Sequence, residues 1–113
     1  MLTIYHNARC SKSRQTLTLI QEANAEVSIV EYLKTPLNAE QLKTLASLLN
    51  VTPINMMRTK EAEFKAMNLT NASDDALILA MVECPKLMER PIVTNNNKAI
   101  IGRPPENVLA LLG

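Results

Sequence analysis

Apolar and polar positions alternate with period two in Leu2-Thr3-Ile4-Tyr5, which puts Leu2 and Ile4 on one face of a short strand and Thr3 and Tyr5 on the other. The loop His6-Asn7-Ala8-Arg9-Cys10 breaks that rhythm, and the period then lengthens to a helical one. Leu17, Ile20 and Ala23 share a helix face, which predicts a helix from about Ser11 to Ala23 with Asn24 as a left-handed stop. The β-branched run Val27 to Tyr32 predicts a second strand. Strand, helix and strand at this spacing form a βαβ unit, so the two strands are expected to be parallel with a right-handed crossover.

From Pro36 to about Met88 the pattern is helical throughout. Asn38 and Gln41 have capping-box spacing ahead of Leu42, Leu45, Ala46 and Leu49. Thr52-Pro53 places proline at the first position of a further helix, and Ser73-Asp74-Asp75 starts another whose apolar residues Leu77, Ile78, Met81 and Val82 run up to Pro85. Pro91–Thr94 and Lys98–Ile101 flank Asn95-Asn96-Asn97, a turn signal that predicts an antiparallel hairpin. Pro104-Pro105 opens a last short helix carrying Val108, Leu109, Leu111 and Leu112. The expected fold is α/β: a four-stranded mixed sheet with packed helices and an all-helical insertion, at about residues 36–88, between the second and third strands.

With 113 residues the chain is read as one domain, residues 1–113, long enough for an apolar core to hold it without disulfides or a structural metal. A formal net charge of +1 excludes the broad basic footprint of a nucleic-acid binder or a membrane-surface protein. The longest apolar run, Ala76 to Val82, is far too short to cross a bilayer. The first residues lack a basic segment followed by an apolar stretch, so no signal peptide is expected and a cytoplasmic location is. Thiols are normally kept reduced there, so two cysteines 74 positions apart read as free thiols.

Those two thiols differ in setting. Cys10 is expected at or just before the first turn of a helix, where unpaired N–H groups and the positive end of the helix dipole favour an anion. Arg9, Lys12, Arg14 and the imidazole of His6 add positive charge nearby. Groups that favour a thiolate also point at a phosphate-like guest, so the loop pairs a sulfur nucleophile with an oxyanion pocket. The competing reading is an inert, buried loop cysteine. Ser13 stands where a Cys-x-x-Cys pair would have its second thiol, and its hydroxyl is placed to hydrogen-bond the sulfur. Cys84 ends an apolar helix face beside Glu83 and Pro85 and is assigned to packing.

The segment His6-Asn7-Ala8-Arg9-Cys10-Ser11-Lys12-Ser13-Arg14 resembles the active-site run of the glutaredoxin-coupled arsenate reductase family of thioredoxin-like fold, in which proline occupies the position of Ala8. Glu31-Tyr32-Leu33, Met57-Arg58-Thr59-Lys60, Arg90-Pro91-Ile92-Val93 and Gly102-Arg103-Pro104 match further landmarks of that family in order, over essentially the whole chain. The resemblance implies that Cys10 is the nucleophile, that His6 supports a low thiol pKa, and that Arg58, Arg90 and Arg103 line an arsenate site. It also implies a cis peptide bond before Pro91. Guanidinium forks match oxyanion oxygens and keep their charge at any working pH. The implied reaction forms a Cys10 thiol-arsenate adduct, with glutathione as co-substrate, glutaredoxin as partner and electron donor, and no bound cofactor or metal.

Three other readings are distinguishable. Thiol-stress regulators of the same fold bind RNA polymerase without catalysis, but typically carry Cys-x-x-Cys at the first helix. A dithiol oxidoreductase needs Cys84 within about 7 Å of Cys10 in Cα separation. A thiol phosphatase uses Cys-x5-Arg spacing, whereas Arg14 follows Cys10 by only four positions.

Overall fold

A computed structural model describes residues 1–112; Gly113, the last residue of the expected domain, lies outside them. The N-terminal alternation extends one residue further than its apolar pattern indicates. Strand β1 runs Leu2–His6 because His6 still pairs with Glu31 of β2 (Val27–Glu31) in a parallel ladder. Leu2, Ile4 and His6 are buried on one face. Helix α1 (Ser11–Glu22) connects the two strands, and Asn24 beyond its end has φ 56°, the left-handed stop that the sequence predicts.

The hairpin forms as β3 (Ile92–Thr94) and β4 (Ala99–Ile101), antiparallel to each other, with β3 also antiparallel to β1. Asn95 Oδ1 accepts the N–H groups of Asn97 and Lys98 at 3.0 and 2.9 Å, and Asn96 takes φ 76°, which closes the turn. The sheet order is β2-β1-β3-β4, so β1 and β3 are central. A core of Leu2, Ile4, Ile20, Val93 and Val108 joins α1 and the C-terminal segment to one sheet face.

Between β2 and β3 the chain is helical, with α2 (Ala39–Leu49), α3 (Ala62–Ala66) and α4 (Asp74–Glu83). The capping box at the start of α2 is complete, and Asn50 closes its other end at φ 59°. Ser73 Oγ caps α4 by accepting the N–H of Ala76 at 3.2 Å. The helix expected after Thr52-Pro53 is a single 3-10 turn, Pro53–Met56, because the next residues, Met57 and Arg58, turn extended to pair with the far end of the helical segment. There Arg58 N–H donates to Leu87 C=O at 2.7 Å and Glu89 N–H to Met56 C=O at 2.8 Å. The last helix likewise starts as a 3-10 turn, Pro105–Val108, before α5 (Leu109–Leu112).

Main-chain contacts divide the chain into two compact units: Met1–Thr35 with the chain from Arg90 onward, and Pro36–Glu89. The first carries the sheet. The second buries Met56, Met57, Met81 and Met88 among leucines, an adaptable filling for a core assembled from short helices.

Candidate active site

Cys10 is the N-cap residue of α1, with extended backbone at φ −92° and ψ 122°. The loop that delivers it is tied at several points. Cys10 N–H donates to Asn7 C=O at 3.0 Å, Asn7 Oδ1 accepts Arg9 N–H at 3.0 Å, and the Arg14 guanidinium donates to Ala8 C=O at 3.0 Å. That last bond ties down the residue standing in place of the resembling family's proline.

The buried face of α1 at this end is polar. Ser13 and Thr16 are buried with Ile20, whereas the expected apolar face is half-buried at Leu17 and exposed at Ala23. The face is rotated because both hydroxyls find partners. Thr16 Oγ1 donates to Lys12 C=O at 2.8 Å, and Ser13 Oγ lies 2.6 Å from His6 Nδ1 while accepting Asn7 N–H at 3.0 Å. Ser13 Oγ is thus engaged by the His6 ring and by the Asn7 N–H. Burial lowers the His6 pKa, with Glu31 opposing and Arg14 assisting, and so favours the neutral ring. His6 thus acts on the loop through Ser13 and Asn7, and the thiol is stabilised by other groups.

Those groups are main-chain N–H dipoles and two arginines distant in sequence. Burial alone pushes the Cys10 thiol up. The N–H of Ser13, the charge of Arg90, the N–H of Lys12 and the guanidinium of Arg103 together outweigh it and hold the pKa below the ordinary thiol value. Arg103 Nη1 lies 3.8 Å from Cys10 Sγ and donates to Arg90 C=O at 3.2 Å. Arg90 Nε and Nη1 are buried and have no hydrogen-bond partner among the described residues. Buried guanidinium donors normally have partners, so these two leave hydrogen-bonding capacity unmet on an arginine whose charge acts on the sulfur. The local cations contribute less than the sequence implies: Arg14 holds Ala8, and Arg9 is exposed.

One residue without a sequence-assigned role supports this arrangement. A Cβ on Gly102 would lie 2.5 Å from Thr16 Oγ1 and 2.8 Å from Pro91 Cγ, so only glycine fits between α1 and Pro91. Its N–H donates to Pro91 C=O at 2.9 Å. Gly102 precedes Arg103 and Pro91 follows Arg90, so this close approach places both arginines. Gly102 being the single glycine before the chain terminus was the available signal. The Arg90–Pro91 and Arg103–Pro104 peptide bonds are both cis.

A model of the ArsC family matches residues 5–111. The chain belongs to the ArsC family. It is 52% identical over 113 residues to the uncharacterised protein YfgD of Escherichia coli K12, covering 97% of this chain and 95% of that one. It is 44% identical over 112 residues to an arsenate reductase of Haemophilus influenzae, covering 96% and 97%. An arsenate reductase structure from Vibrio cholerae superimposes with a TM-score of 0.93 at 47% identity, over 96% of this chain and 95% of that one. The thioredoxin-like fold inferred from the sequence is therefore that of this ArsC member.

Two sequence-selected residues of this ArsC chain lie in the helical unit. Arg58 pairs closely with Glu61, and its Nε is 3.9 Å from Glu89, so two carboxylates already share its charge. Cys84 ends α4, half-buried, with its N–H donating to Ala80 C=O at 2.8 Å. Both cysteines are free thiols. No helix among the described residues is long and apolar enough to cross a membrane.

Proposed function

We infer that this ArsC-family chain reduces arsenate to arsenite, with the Cys10 thiolate as nucleophile. The observation that carries this reading is the pair of unpartnered Arg90 donors beside a sulfur already 3.8 Å from Arg103. A tetrahedral oxyanion held there presents its central atom to the thiolate, and the fixed cations stabilise charge as it develops. The sulfur–arsenic bond forms as an arsenic–oxygen bond breaks and the oxygen leaves as water. Glutathione sulfur then bonds to Cys10 sulfur, and the electron pair of the sulfur–arsenic bond passes to arsenic, which leaves as arsenite. Glutaredoxin removes glutathione from the resulting mixed disulfide and restores Cys10. Both electrons come from external thiols, in keeping with Ser13 at the position of a resolving cysteine.

Family resemblance adds Arg58 to the oxyanion ligands. Its pairing with Glu61 and Glu89 means that an arriving anion competes with two carboxylates for that guanidinium. The deciding experiment measures arsenite formed from arsenate, glutathione and glutaredoxin. The wild-type chain is expected to turn over, Cys10→Ser to be inactive and Cys84→Ser to retain most of the rate. Turnover by Cys10→Ser would refute the assignment, and turnover with thioredoxin in place of glutaredoxin would change the donor but not the chemistry.

A further inference from the structure

We propose that the cavity on the β2 flank of the nucleophile loop is the binding site for the reducing thiol, and that it recognises the charge pattern of glutathione. This rests on the function inferred above. The cavity, of about 330 Å³, lies at the C-terminal ends of the parallel strands β1 and β2. Its rim is formed by Asn7, Ala8 and Arg9 of the loop, by Glu31 at the end of β2, and by Leu33 and Lys34 beyond it. That volume is in the range of small-molecule sites.

The direction of attack selects this side. When glutathione sulfur bonds to Cys10 sulfur, the sulfur–arsenic bond breaks and its electron pair goes to arsenic, so the entering sulfur must lie roughly opposite the departing arsenic. The oxyanion donors come from Arg90, just before β3, and Arg103, just after β4. With strand order β2-β1-β3-β4, those arginines flank β1 on one side and the cavity flanks it on the other. Arsenic on the arginine side leaves the β2 side for the thiol.

The charges on the rim also fit. Glutathione carries two carboxylates and one ammonium at neutral pH, and the rim carries two cations and one carboxylate. Lys34 Nζ lies 3.5 Å from Glu31, both side chains being exposed at 76% and 44%, a pair that offers the zwitterionic γ-glutamyl end both of its counter-charges. An exposed pair of this kind is weak, so opening it for a ligand costs little. The Arg9 guanidinium is exposed, and none of its side-chain donors is engaged by a described residue. It is therefore free for the glycyl carboxylate. The half-exposed Leu33 supplies an apolar patch for the chain between the two ends.

The test uses the full chain and two disulfides, glutathione disulfide and the uncharged bis(2-hydroxyethyl) disulfide, with the rate of mixed-disulfide formation at Cys10 followed by mass spectrometry. Arg9→Ala and Lys34→Ala are each expected to slow reaction with glutathione disulfide about threefold, the scale of one exposed charge contact, and to leave the uncharged disulfide unchanged. Lys34→Glu is expected to slow it further. Equal rates in wild type and variants, or equal slowing with both disulfides, would overturn the proposal. In arsenate turnover the same variants should raise the glutathione KM and leave the arsenate KM alone; a shift in the arsenate KM alone would also overturn it. Because the disulfide measurement contains no arsenate, a wild type that fails to reduce arsenate yet retains the charge preference would refute the function and not the thiol site.

Discussion

At Cys10 a few named contacts determine whether sulfur is a nucleophile. The thiol is held below its ordinary pKa by the Ser13 and Lys12 N–H groups and by Arg90 and Arg103, against burial. Removing either arginine takes away a stabiliser of the thiolate, so Arg90→Ala and Arg103→Ala should each raise the thiol pKa. The pH profile of Cys10 alkylation by iodoacetamide should move upward in both; an unmoved profile would mean that the main-chain groups suffice. Arg58→Ala should leave that profile in place, since Arg58 is not among the groups acting on the sulfur, and should affect arsenate KM less than Arg90→Ala because Glu61 and Glu89 already share its charge. Cys10 itself was legible in the sequence, as a thiol at the start of a helix in a basic loop. The contact between Ser13 and His6 was not legible, because spacing shows which residues share a loop but not that His6, as the last residue of β1, turns inward to lie 2.6 Å from the Ser13 hydroxyl.

Between elements, what sets the site is how closely α1 approaches the two segments that carry its arginines. Gly102 sits where a Cβ would meet Thr16 and Pro91 at 2.5 and 2.8 Å, and neither Thr16, buried on α1, nor the proline ring can yield easily. Gly102→Ala should therefore lower stability by roughly 1–3 kcal/mol, the usual scale of overpacking, as read by urea unfolding. It should also raise the Cys10 thiol pKa by shifting Arg103; a destabilised variant with an unchanged alkylation profile would show that Arg103 is placed independently. The elements most legible from sequence were those with local chemistry: the Asn38–Gln41 capping box, the triple-asparagine hairpin, and Asn24 as a helix stop. Helix α3 escaped notice because five residues give too little periodicity to read. The 3-10 turn at Pro53 was read as a longer helix because its termination depends on the pairing of Met57 with Met88, a contact no local pattern announces.

Over the whole molecule, a net charge of +1 conceals an uneven division. The sheet unit holds seven basic and four acidic residues, a balance of +3, and the helical unit holds five and seven, a balance of −2. The excess charge thus lies in the unit that carries Cys10, where a small oxyanion is to be attracted. Two groups of the sheet unit, His6 and Cys10, give the molecule a stability that rises with pH through two separable windows. The His6 pKa in the folded chain is below its ordinary 6.5, so as pH falls past 6.5 the unfolded chain takes up a proton that the folded one refuses, and stability is lost. The Cys10 pKa is below its ordinary 9.0, so the folded chain gives up its proton first; that contribution is complete above pH 9.0 and is lost as pH falls through the folded pKa. Glu63, also depressed, acts only below its ordinary 4.5 and leaves both windows clear. Urea unfolding free energies measured from pH 5.5 to 9 should therefore rise with pH just below 6.5 and again on the approach to pH 9.0. His6→Gln should flatten the slope below pH 6.5 and Cys10→Ser should flatten it toward pH 9, each leaving the other window intact. If His6→Gln changed the absolute stability but kept the acid-side slope, the imidazole would be titrating alike in both states, and its role in holding the loop through Ser13 would not depend on the neutral ring.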